Sequence, residues 1–270
     1  MSAPAMDELT LTLWTGDVDL AAEADAAGVD RIGCDLERAG KALRQAGWKA
    51  WLSDHDIDDV RRVRGVVHHA RLFARSDPFD GSDPGQLEAL LVEGVGVIML
   101  PVAEEPDAIA AAAKIVAGRA LLVALVETRR GAEASPEIAA VEGLDEICLG
   151  PNDLSASLGL TNRFASIISE EAEHIAAAAR FARRPFSIAG IAAVDDTRLP
   201  VRPDLVYAQF ARLGATGAVL GRVFVDAPGP MTEKVSAVRR RLAEVRRWPD
   251  ADLDAARREL ARLAPGLGRL

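Results

Sequence analysis

Two hydrophobic periods alternate along this chain. Short apolar runs recur, and between them lie stretches whose apolar positions fall three or four residues apart. The first pattern predicts buried strands and the second amphipathic helices. The strands read as Leu11–Trp14, Arg31–Asp35, Val66–Phe73, Val97–Leu100, Ala120–Val126, Glu146–Leu149, Phe186–Ile191 and Ala218–Val223. Helices are expected at Asp19–Ala27, Arg38–Ala46, Asp56–Arg64, Gln86–Glu93, Asp107–Val116, Ala132–Val141, Ser169–Arg183 and Asp204–Leu213. The segment from Ser76 to Gly85, rich in Asp, Pro, Gly and Ser, reads as a loop, and Asn162–Phe164 opens another. Eight strands, each followed by helix, predict an α/β fold of the closed (β/α)8 TIM-barrel type over residues 1–226.

After Pro230 the pattern changes to two helices, Glu233–Arg247 and Asp252–Leu263, separated by Trp248-Pro249. They form a helical extension over residues 227–270. Val235, Val238, Leu242 and Val245 make one apolar stripe on the first of them, and such a stripe needs a partner. The partner is either the barrel or a second subunit, and the expectation is a homo-oligomer.

A chain of 270 residues suits one barrel, since about 250 is typical. Apolar residues make up 49% but aromatics only 4%, so the core must rest on Ala, Val, Leu and Ile. The net charge of −9 argues against a nucleic-acid surface and against binding to anionic membranes. It leaves an anionic substrate open, because local charge decides that. Cys34 and Cys148 fall on the second and sixth strands, across a barrel from each other, so no disulfide is expected and a reducing cytoplasm fits. No apolar stretch reaches membrane-spanning length, and the first residues lack a basic region followed by an apolar one. The expectation is no membrane span and no secretory signal.

Chemistry enters at two strand ends. Glu127 closes the fifth apolar run, and Asp153 follows the sixth across Gly150-Pro151-Asn152. In parallel α/β proteins ligands gather at the carboxyl ends of strands. Two hard oxygen ligands there could hold Mg²⁺ or Mn²⁺ and leave positions open for water and substrate. Glycine and proline fix a turn before Asp153 whose backbone amides could face an anion. No Cys/His spacing suggests zinc, and no nucleotide-binding glycine loop, Walker A motif or Gly-x-Ser-x-Gly elbow is present.

From Leu11 to Val225 the chain resembles the HpcH/HpaI aldolase and citrate-lyase-β family. The resemblance rests on Leu13-Trp14, Gly28-Val29-Asp30, Ala70-Arg71-Leu72, Ile98-Met99-Leu100-Pro101, Val126-Glu127-Thr128, Val141 to Asp145 and Gly150 to Ser155. It implies a barrel with a divalent metal ion that binds pyruvate, oxaloacetate or a related 2-oxo acid, and C-terminal helices exchanged between subunits. By resemblance Glu127 and Asp153 are the metal ligands, and Pro151, Asn152 and Asp153 meet the substrate carboxylate. Arg71 takes the place of the family's arginine beside the enolate oxygen, and its Ala-Arg-Leu context favours it over Arg75.

The family's loop histidine, used in acid–base chemistry, is replaced here by Arg38. Its partner aspartate before the fourth strand is replaced by Val92 or Glu93. That departure puts ordinary aldol cleavage in question and leaves metal-assisted 2-oxo-acid binding intact. Arg38 cannot serve as a base at neutral pH, yet it could bind an anionic group of a second substrate. Glu37 is a candidate base or water-mediated metal contact, and His55 a candidate acid–base group reaching the mouth. Trp14 could wall the site, whereas His68, His69 and His174 read as structural. The expected activity is a metal-dependent carbon–carbon lyase or synthase that joins a 2-oxo acid to a carbonyl co-substrate. A CoA-thioester lyase of the citrate-lyase-β type and a non-catalytic binding subunit are the alternatives.

Overall fold

In the computed structural model, residues 9–38 and 53–267 are described. Eight parallel strands close on themselves in sequence order. They are β1 Thr10–Trp14, β2 Arg31–Asp35, β3 Arg71–Arg75, β4 Val97–Leu100, β5 Leu121–Val126, β6 Glu146–Leu149, β7 Phe186–Ile191 and β8 Gly217–Leu220. The barrel is the expected (β/α)8 fold with C-terminal helices.

Alternation along each strand sorts side chains between two cores. Phe73, Val97, Met99, Leu121, Val123, Leu125, Cys148 and Val219 fill the barrel interior, with Trp14 and Ala189 packed on them. The opposite faces, such as Leu11, Ile32, Ile98, Leu122 and Ile147, join the larger core under the helices. Cys34 and Cys148 are both buried free thiols. Burial pushes each up to about 12, so both behave as small hydrophobes.

The third strand starts later than its hydrophobicity predicts. Val66 to Ala70 is a turn, and β3 runs from Arg71 to Arg75. The cause is Asp25, buried in the first helix, Val18–Ala26. Its carboxylate accepts from the backbone amides of His68, His69 and Ala70 at 2.6–3.2 Å, which holds them in a turn. His68 and His69 are therefore exposed on that turn, not in a strand. The expected helix over 132–141 is two short ones, Arg129–Glu133 capped by the Thr128 hydroxyl, and Ser135–Ala140, in which Pro136 fits a first turn. The helix expected over 38–46 lies outside the described residues except for Arg38.

The C-terminal helices are Met231–Val245 and Asp250–Leu263. Val235, Val238, Leu242 and Val245 are all at most 2% exposed within this single chain. The stripe is thus covered by the barrel's own helices and does not require a second subunit. Arg241 adds a tether, pairing with Asp204 at 2.8 Å. Among the described residues no helix is long and apolar enough to cross a membrane.

Candidate active site

The registry of β2 and β3 decides which arginine stands at the barrel mouth. Arg31 pairs with Arg71 at the amino ends, and Asp35 pairs with Arg75 at the carboxyl ends. Arg71 is therefore at the wrong end of the barrel for chemistry, in the layer where Arg31 and Glu146 form a buried pair at 2.7 Å. The structure corrects the sequence assignment: Arg75 is the arginine of the mouth. The four-residue difference follows from the Asp25 turn, which delays the start of β3.

Arg75 is enclosed by acids. Its Nε and Nη2 donate to the two oxygens of Asp35 at 2.8 and 2.7 Å, and Nη1 lies 3.1 Å from Glu37 Oε2. Burial pulls the guanidinium down, but Asp35, Glu37 and Glu127 outweigh it and hold it above the ordinary arginine value. Below it lies Trp14, with the guanidinium carbon 4.2 Å from the ring centroid. Trp14 in turn stacks on Phe73 at 6.2 Å. The tryptophan thus forms a cation–π floor under Arg75, and its Nε1 has no hydrogen-bond partner among the described residues.

Glu127 follows β5 directly and is 3% exposed. Asp153 lies in the first turn of a short helix, Pro151–Ser157, which starts after β6 with proline at its first position. The Gly-Pro turn therefore opens a helix, in which Pro151 and Asp153 are buried and Asn152 is exposed. The Val102 amide donates to Glu127 Oε1 at 3.0 Å. A Cβ on Gly150 would stand 2.8 Å from Glu127 Oε2, so glycine there leaves that oxygen clear. Burial first, then the charge of Asp153, pushes the Glu127 carboxyl up to about 8 despite Arg75. Two buried carboxylates repelling each other in this way are short of positive charge.

That donor set fits a hard divalent cation. Among the described residues no three His, Cys, Asp or Glu side chains form a closed metal cage. Mg²⁺ commonly takes one or two carboxylates and completes its shell with water and substrate, so a pair is sufficient. Glu127 and Asp153 are the residues that would hold it.

The remaining candidates sort by position. Glu37 is fully buried beside Arg75. Arg38 is exposed, and its Nη2 donates to the carbonyls of Asp54 and His55, at 2.9 Å to the latter. It pins the segment that carries His55. There the Asp35 amide donates to His55 Nδ1 at 3.2 Å. An imidazole that accepts at Nδ1 carries its proton on Nε2, so His55 in this pose is a neutral donor with no free lone pair for a base. Val92 is exposed, and Glu93 bridges Arg61 and Arg64 ahead of β4. Neither meets the mouth, so neither stands in for the replaced aspartate.

The profile of the HpcH/HpaI aldolase/citrate lyase family matches residues 18–216. This chain belongs to that family. A hydroxypyruvate/pyruvate aldolase of Roseovarius nubinhibens is 39% identical over 79 residues, which covers 29% of this chain and 30% of the relative. The match thus spans under a third of that protein. Two solved structures share the fold. One is an HpcH/HpaI aldolase/citrate lyase family protein from Burkholderia cenocepacia, with TM-score 0.61 and 20% identity over 89% of this chain and 95% of that one. The other is the citrate lyase β subunit of M. tuberculosis complexed with oxaloacetate and magnesium, with TM-score 0.62 and 23% identity over 88% of this chain and 98% of that one.

Arg75 is the residue that sequence reasoning set aside. The available signal was the alternation Arg71, Phe73, Arg75, which puts both arginines on one face. Only the true strand end separates them.

Proposed function

We propose that this protein is a divalent-metal-dependent carbon–carbon lyase or synthase acting on 2-oxo acids through an enolate of the pyruvate type. The observation that carries this reading is the meeting of Glu127, Asp153 and Arg75 at the carboxyl end of one barrel. Mg²⁺ or Mn²⁺ bound by the two carboxylates would supply Lewis-acid polarisation of the 2-oxo acid. That the M. tuberculosis relative is described with oxaloacetate and magnesium agrees with the choice of ligand class.

The protein's own groups divide the remaining work. A guanidinium carries five N–H donors. Two are donated to Asp35, and Nη1 forms an ion pair with Glu37, which leaves N–H groups on the terminal nitrogens for a developing enolate oxygen. Such a preorganised donor acts where charge develops and costs no reorganisation. Asp35 and Glu37 fix the fork, and Trp14 closes its lower face. The backbone at Pro151–Asp153 borders the carboxylate end of the substrate. Among the described residues, His55 is held as a donor and Glu37 is engaged by Arg75, so neither is set to move a proton at carbon. Proton exchange at carbon is therefore expected to be the slower reaction.

The test follows from that division. Loss of CO₂ from oxaloacetate yields the enolate directly, whereas exchange of pyruvate methyl protons needs a base. With Mg²⁺ or Mn²⁺ in D₂O, NMR should show metal-dependent decarboxylation well ahead of methyl exchange. If neither reaction exceeds the metal-only background, the enolate reading fails.

A further inference from the structure

Arg163 stands at the opposite side of the mouth from Arg75, and its place is set from three directions. It opens a short helix, Arg163–Ser166, in the loop after β6. Asn162 caps that helix, accepting from Phe164 and Ala165, and its amide donates to the carbonyls of Ala264 at 2.9 Å and Leu267 at 3.2 Å. Ser166 Oγ donates to the Pro151 carbonyl at 2.6 Å, which ties the helix to the turn that carries Asp153. Arg163 Nη1 then donates to the Gly190 carbonyl at 3.1 Å.

Gly190 is the irregular point of β7. The register with β8 shifts between Ala189 and Ile191, and Gly190 has φ 90°, a conformation suited to glycine. A Cβ there would come within 3.0 Å of the Arg163 guanidinium. Ala189 packs on the inward-facing cluster, and Ala189 and Gly190 are the two partly exposed residues of β7. Arg163, itself partly exposed, sits beside these two residues through its bond to Gly190.

At the mouth, Arg75 is matched by Asp35 and Glu37, and at the other end of the barrel Arg31 is matched by Glu146. Arg163 has no carboxylate partner among the described residues. Burial alone holds its guanidinium below the ordinary value, with no acid to offset it. Among the described residues its guanidinium donates one hydrogen bond, to a carbonyl, and lies 5.2 Å from the Phe164 ring centroid, which leaves N–H groups suited to a carboxylate.

We propose that Arg163 receives a carboxylate of the carbonyl acceptor, so that the acceptor is an oxo acid and not a neutral aldehyde. This rests on the enolate reading above and names the second substrate's class.

The test compares glyoxylate with glycolaldehyde as acceptors for pyruvate in the Mg²⁺-loaded protein, with wild type and Arg163→Gln. The preference for glyoxylate, as a ratio of kcat/KM values, should fall about 10- to 100-fold in the variant, the range expected for one charge-assisted contact. An unchanged ratio overturns the proposal. Arg163→Lys keeps the charge without the fork. It should lose part of the preference, and it decides the matter if the glutamine variant does not fold. Binding gives a second readout that needs no turnover. Glyoxylate titrated by NMR into metal-free wild type and Arg163→Gln should bind wild type at least tenfold more tightly. Equal binding, or no binding to wild type, overturns the proposal. Oxaloacetate decarboxylation by wild type is measured alongside. Its absence defeats the enolate reading, while the titration still decides Arg163.

Discussion

Arg75→Met is the perturbation that best separates the two arginines of β3. It removes the cation that sits between Asp35 and Glu37 and lowers the charge burden on Glu127. Breaking a buried ion pair from one side costs roughly 3–5 kcal/mol, because the remaining charge is left without compensation. Here two acids lose the same partner, so the upper part of that range is expected near neutral pH. Activity should fall further than folding. Losing a preorganised donor to a developing oxyanion costs about 10²–10³ in kcat. Glu127 would also titrate still higher without Arg75, which weakens a metal site that needs the ionised carboxylate. Arg75→Lys keeps the charge but cannot span Asp35 bidentately, so it should fall between the two. Arg71→Met is the control, at the other end of the strand. Denaturant melts and Mg²⁺-dependent oxaloacetate decarboxylation, measured on all three variants, decide the question. Full activity in Arg75→Met, with loss in Arg71→Met, would refute the assignment.

Glu127→Gln and Asp153→Asn should each abolish calorimetric Mg²⁺ or Mn²⁺ binding while the circular-dichroism melt persists; unchanged affinity in both would reject the metal site. Because the Glu127 carboxyl stands at about 8, metal and proton compete. Apparent affinity should weaken about tenfold per pH unit below that point and level off above it. Asp25 supplies an acid-side prediction. Burial pushes its carboxyl up, but the amides of Ala70, His68 and His69 outweigh that and hold it below the ordinary range. Its contribution is therefore complete above the unfolded value of about 3.9 and is lost as pH falls through the lower folded value. Asp25→Ala should cost roughly 1–3 kcal/mol at pH 7 in a urea melt, and less at low pH; equal loss at both would sink the linkage argument. Truncation after Asp226 removes the helices whose Val235, Val238, Leu242 and Val245 are buried in this chain. The shortened protein should lose its cooperative melt, and a truncation that melts like full length would show those contacts to be dispensable.

The barrel was legible because each strand is buried on both faces and reads as an apolar run, and because the helices between them keep their own period. The placement of Glu127 and Asp153 at strand ends was legible for the same reason, since Glu127 directly follows one apolar run and Asp153 follows another across a Gly-Pro-Asn turn. The errors arise where one side chain overrides local preference. Val66 and Val67 are β-branched and read as strand, yet three amides bound to Asp25, more than forty residues earlier in the chain, hold the following residues as a turn. No window along the sequence contains that contact.

A delayed strand start slides every later residue along the barrel axis. At a rise of about 3.3 Å per residue, four residues displace a side chain by roughly 13 Å, the difference between the floor of a barrel and its mouth. Alternation could not reveal the slip, because an even shift preserves the face. Arg71 and Arg75 both point inward, and hydrophobicity around them is similar. What distinguishes them is the company each keeps: Arg71 pairs in register with another arginine, whereas Arg75 pairs with Asp35. Both ends of the barrel hold a buried arginine–carboxylate pair, but only at the Asp35–Arg75 end do Glu127 and Asp153 join from the ends of β5 and β6, and that is the layer we propose for chemistry. Registry between neighbouring strands, more than the composition of any one strand, therefore carries the functional information in this fold. The same logic separates Arg163, which has no carboxylate partner among the described residues, from Arg31 and Arg75, which the fold pairs with acids.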